Sequence, residues 1–147
     1  MSFSQRIGVT IPILWLGFVL SISFMEAWLK FQAEGVTQVI GLSIGRLVFG
    51  VLNKVELFFM IALLFSTLKA YGFKINKTLK TILISLLVIL LAQTFYLLPM
   101  LDQRAVMIID GTIPDSTYLH FYYVFLELLK VILLAVFSHQ MLSKYKG

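Results

Sequence analysis

Cysteine is absent from the 147 residues. This excludes disulfides, thiolate metal sites and cysteine nucleophiles, and leaves the redox compartment open. Acids are scarce: seven Asp and Glu stand against twelve Lys and Arg. Charged residues make up 13% of the chain, where a soluble domain carries about 25%. No basic, aromatic-studded soluble surface remains, so no nucleic acid is expected as a partner. Only two histidines occur, His120 and His139. Both fall on the last apolar stretch at opposite ends, too far apart to clamp one haem.

What is present is apolar surface. The chain is 60% hydrophobic, with a mean hydropathy of +0.96. A soluble chain of this length cannot hide that much, so an integral membrane protein is expected. The expected fold is all-α: a polytopic four-helix membrane bundle in one domain, with spans at about 7–33, 39–69, 78–101 and 117–142. Ile7 to Met25 is free of charge, and Pro12 is its interior kink candidate. Although Arg6 and Ser21-Ile22-Ser23 resemble a cleavable signal, Glu26 and Lys30 continue one helical face with Trp15, Val19, Ile22 and Ser23, which favours a retained helix. Gly41, Gly45 and Gly50 should let the second span approach a neighbour closely. Pro99 should end the third span, leaving Asp102 to Ser116 as the one true loop.

Basic residues set an expected orientation. Arg6, Lys69, Lys74, Lys77, Lys80, Lys144 and Lys146 fall on one side. The other side holds Lys30, Arg46 and Arg104 with Glu34, Asp102, Asp110 and Asp115. The positive-inside rule places both termini in the cytoplasm of a plasma (inner) membrane, with the acidic loop outside.

The chemistry lies in charges inside the spans. A charged side chain near a bilayer centre costs about 2.5–3.5 kcal/mol on insertion scales. The stretch Gly45 to Phe59 alone carries Arg46, Asn53, Lys54 and Glu56. At helical spacing these share about half of a circumference. Ser23, Glu26 and Lys30 share a face of the first span. His120, Tyr123, Glu127, Lys130 and Ser138 form a stripe on the fourth, and Gln93 borders a stripe of Ser85 and Tyr96 on the third. All four spans thus put polar groups in the half away from the termini. The expectation is a polar cleft opening outward, made by Glu26, Lys30, Arg46, Asn53, Lys54, Glu56, Gln93, His120, Tyr123, Glu127 and Lys130.

Several chemistries can be weighed against that set. Three glutamates and His120 could converge on a metal, but no Glu-x-x-His is present and four cations lie close by. A Ser–His hydrolytic pair with workable spacing is missing. No metal, catalytic residue or cofactor is predicted. Passage or binding of a proton, small ion or polar solute fits better, because carboxylates beside lysines recur in such relays. The cations could instead attract an anion or a carboxylate head group. The alternative is a non-catalytic subunit or anchor in which Glu26, Glu56 and Glu127 face Lys30, Arg46, Lys54 and Lys130 as structural pairs. The expected partners are the lipid bilayer and a second copy or another membrane protein. Tyr96, Tyr118, Tyr122, Tyr123 and Trp28 suit an interfacial aromatic belt.

GFVLSISFMEAWLKFQA followed by GRLVFGVLNKVELFF resembles small four-span families related to transmembrane protein two-hundred-and-five, through Glu26, Trp28, Phe31, Phe49, Gly50 and Leu57. The resemblance covers the first two spans. It implies a four-helix membrane protein and supplies no catalytic residue.

Overall fold

The computed structural model describes residues 2–144, so Lys146 of the basic tail lies outside the described residues. Four helices are long and apolar enough to cross a membrane: Phe3–Gln32, Gln38–Lys74, Lys77–Ile109 and Leu119–Ser143. No strand occurs among the described residues.

The helix starts obey local chemistry. Ser2 and Gln5 form a reciprocal capping box, Thr37 accepts from the Ile40 amide, and Asn76 accepts from the Leu79 amide. Each satisfies an amide that has no partner within the helix. The second helix has 34 α-helical residues, Gln38–Tyr71. At about 1.5 Å per residue it is roughly 51 Å long, well beyond the ~30 Å of a hydrocarbon core. Gly35 and Gly111 have φ of 80° and 84°, a left-handed turn geometry that glycine adopts without a steric penalty. Pro12 sits buried inside the continuous α-helical segment Phe3–Val19.

The third helix departs from the sequence expectation. It does not stop at Pro99 but continues to Ile109, so Asp102 lies on a helix and not in a loop. Its Gln93–Leu97 turn is a wide π turn, in which the Leu98 amide bonds back to the Gln93 carbonyl. Proline within a regular helix removes a donor and clashes with the preceding turn. Pro99 instead occupies the first turn of the segment that resumes after the π turn. A second wide turn, Leu20–Glu26, interrupts the first helix, with the Ala27 amide bonded to the Ile22 carbonyl.

The first helix packs on the second and fourth, and the third also packs on the second and fourth. The third lies along the fourth in its first half and leans onto the second in its last half. Gly8 at the start of the chain lies close to Met141 and Ser66, so the two chain ends share one end of the bundle. That half holds the main apolar core, including Trp15, Val19, Leu63, Leu86, Leu134 and Phe137. A smaller cluster of Leu97, Leu119 and Tyr123 lies toward the other end.

The outside carries many exposed hydrophobic side chains. Leu47, Val51, Phe58, Ile61 and Phe65 line the exposed side of the second helix, while Glu56, Gln93, Glu127 and Lys130 are buried. This inverted distribution suits helices long and apolar enough to cross a membrane, where packing and interhelical hydrogen bonds hold helices together.

Candidate functional site

Beneath the smaller cluster, all four helices send a polar side chain to one point. Lys130 of the fourth helix is fully buried. Its Nζ donates to Glu56 Oε1 at 2.5 Å and to Glu127 Oε1 at 2.7 Å. Glu127 precedes Lys130 by three residues, so the two share one helical face. Glu56 comes from the second helix and also accepts from the Trp15 indole of the first, at 2.8 Å. Glu127 is held on its other sides. Ser23 Oγ donates to Oε2 at 2.6 Å, and Gln93 Nε2 donates to Oε1 at 2.6 Å.

Ser23 lies within the first wide turn and Gln93 opens the second. A π turn holds one more residue than an α turn, which shifts the phase of all later residues in the helix, and such turns concentrate at functional sites. Here both deliver a donor to the same carboxylate. Gln93 Oε1 is buried and has no hydrogen-bond partner among the described residues. Amide oxygen and nitrogen are interchangeable in shape. The same side chain can donate to an ionised Glu127 or accept from a protonated one.

Above Glu127 lies a cavity of about 540 Å³. Glu127 and Ser23 lie on its wall, along with Lys30, Arg46, Asn53, Lys54, His120 and Tyr123. Glu56, Gln93 and Lys130 are not on that wall; they sit behind Glu127. Glu26 is also off the cavity wall. It pairs with Lys30 at 3.3 Å and does not join Glu56 and Glu127. Lys30 Nζ further lies 5.6 Å from the ring centres of Phe31 and Phe49, a cation–π geometry.

The expected pairing of three glutamates with four cations is therefore redistributed. Arg46 takes Asp102, with Nε–Oδ1 at 2.5 Å and Nη2–Oδ2 at 3.0 Å. Lys54 is exposed and has no ion-pair partner among the described residues. Asn53 Nδ2 donates to Thr94 Oγ1 at 2.9 Å. Tyr123, expected both in the cleft and in the aromatic belt, is buried, with its ring edge-on to Phe49 at 5.7 Å. Gly41 and Gly45 do meet the first helix, at Phe31 and Lys30, but Gly50 has nothing within 4 Å of a built Cβ. The side chains absent from the expected set are Trp15, Ser23, Thr94 and Asp102. Trp15 and Ser23 were legible as part of one face of the first span. Thr94 lies within the wide turn Gln93–Leu97, and Asp102 needed the third helix to run past Pro99.

Among the described residues no group of three or more metal-ligating side chains comes together. Compared with family models, curated proteins and solved structures, the chain finds no match.

Proposed function

We propose that this is a multi-pass membrane protein that takes up and releases a proton at the Glu56–Glu127 pair, exchanging it with the cavity through Glu127. One observation carries the reading. Two carboxylates converge on a single ammonium, and the side chains of Glu56, Glu127 and Lys130 are 1%, 1% and 0% exposed. With both acids ionised the cluster holds one uncompensated negative charge. An unbalanced buried charge costs several kcal/mol, and one proton on either acid removes it. Because the carboxyls share Lys130, they bind that proton as a pair.

The surroundings supply the other parts of an exchange site. Trp15 from the first helix donates to Glu56 throughout, while Ser23 and Gln93 can adjust to either state of Glu127. Tyr123, one turn before Glu127, lines the cavity beside it. The lysine- and arginine-rich end of the bundle, with Arg6, Lys69, Lys74, Lys77, Lys80 and Lys144, is read as cytoplasmic by the positive-inside rule, so the cavity opens outward from a plasma or inner membrane. The resemblance of the first two spans to small four-span families agrees with this architecture.

Infrared spectroscopy of the full chain in lipid tests the reading. A protonated carboxyl band should appear as pH falls and should be missing in Glu56→Gln and in Glu127→Gln, because either change leaves one acid and one base. A wild-type protein with no such band anywhere in its folded pH range would end the proposal. A second reading has its own support, since one network ties all four helices. In it the cluster is a structural clamp in a non-catalytic subunit, and the glutamine variants alter stability without any loss of proton uptake.

A further inference from the structure

We infer that the cavity binds a monoanionic amphiphile, an apolar chain bearing one carboxylate, with its head group paired to Lys54. Its head-group contact is not part of the proton pair: Glu127 shares the cavity wall, while Glu56 and Lys130 lie off it.

The first observation is the unequal state of the cations around the cavity. Lys30 is occupied by Glu26 and by two aromatic faces. Arg46 is held by both oxygens of Asp102. Lys54 also lines the cavity and has no carboxylate within ion-pair distance among the described residues. It stands in a long apolar helix, where an unaccompanied ammonium costs about 2.5–3.5 kcal/mol at bilayer depth. An anion in the cavity would compensate it.

The second observation is Gly50, one helical turn before Lys54. A glycine in a helix interior is about 1 kcal/mol less favourable than alanine. Close helix approach usually accounts for one, as at Gly41, where a Cβ would run into the Phe31 ring. At Gly50 a Cβ would meet nothing within 4 Å, and the residue lines the cavity. Its missing side chain therefore widens the space beside Lys54 and serves no packing contact.

The walls and the charge count set the ligand class. Phe24, Phe49, Leu98 and Val124 give the cavity an apolar body, and its volume of about 540 Å³ lies in the range of small-molecule sites, about 300–1,000 Å³. One free ammonium balances one negative charge. A carboxylate supplies that, whereas a phosphate monoester carries nearly two charges near neutral pH and would leave the second uncompensated.

The test is native mass spectrometry of the full chain from non-ionic detergent, offered dodecanoate, dodecanol and dodecylamine in equal amounts. The three share a tail and differ in head group. The wild-type chain should retain dodecanoate over dodecanol by roughly tenfold, an ion-pair's worth of about 1.4 kcal/mol. Lys54→Gln should abolish that preference, and Gly50→Leu should lower retention of all three while circular dichroism shows unchanged helicity. Equal retention of the three by the wild type overturns the inference without any variant having to fold. So does a preference that survives Lys54→Gln. Retention unaffected by a folded Gly50→Leu overturns the placement in this cavity. The readout is ligand retention and not a carboxyl band, so failure here is distinct from failure of the proton reading.

Discussion

Lys130 and Glu56, 74 positions apart in sequence, meet at 2.5 Å with both side chains enclosed. The contact joins the fourth helix to the second. Glu127 on the same ammonium makes the cluster formally anionic. Removing different members of this trio should therefore have unequal consequences.

Lys130→Met leaves two buried carboxylates without a cation. Breaking a buried pair by deleting one partner costs about 3–5 kcal/mol, so thermal unfolding in detergent should fall sharply. Glu56→Gln keeps an acceptor for Trp15 and Lys130 and leaves Lys130 balanced by Glu127. Its cost should be about 1 kcal/mol, that of one altered hydrogen bond. Equal destabilisation by the two would contradict the charge count.

Trp15→Phe keeps most of the buried ring and deletes the indole donor to Glu56. A charged acceptor losing a buried partner costs about 1.5–3 kcal/mol. Trp28→Phe is the control, because its indole bonds the Phe24 carbonyl at an exposed position. Denaturation midpoints should drop for the first and stay within about 0.5 kcal/mol for the second.

Gly41→Ala drives a Cβ into the Phe31 ring. The ring must swing away, and Lys30 loses one of its two aromatic faces. A cost of about 1–3 kcal/mol is expected from overpacking. In a Phe31→Ala background the clash is gone, and the same change should stabilise by up to about 1 kcal/mol through helix propensity. A double-mutant cycle on unfolding midpoints checks the change of sign.

Arg46→Ala and Asp102→Ala remove a pair whose side chains are 37% and 48% exposed. Water screens an exposed pair, so stability should barely move. What should change is geometry. The native chain lacks cysteine, so Arg46→Cys with Asp102→Cys can be joined by a short bifunctional thiol reagent. Cross-linking checks that the third helix runs past Pro99; a flexible loop after Pro99 would give a weak, unselective product.

Single cysteines also map the cavity. Ala27→Cys and Ala105→Cys lie on its wall, and Leu134→Cys is in the closed core. A small hydrophilic thiol reagent should label the first two in membranes and spare the third. Uniform protection of all three would show the cavity closed to water.

The sequence alone determined that there are four helices long and apolar enough to span a membrane and that each carries polar groups in the same half. Those properties are local: hydropathy accumulates over one window, and helical spacing puts Glu127 and Lys130 on one face whatever surrounds them. Sequence could not assign partners. Lys130 could have met Glu26, Glu56 or Glu127 in one helix or across helices, and Arg46 could have met any acid at the end of the bundle away from Gly8 and Met141. That choice depends on how far each helix is rotated, and two π turns, Leu20–Glu26 and Gln93–Leu97, change the rotation by adding a residue to a turn. The same effect let the third helix continue beyond Pro99 and brought Asp102 to Arg46. Only the packed bundle decided those contacts, because a pairing between helices depends on the phase of both, and no single stretch of sequence encodes the two together.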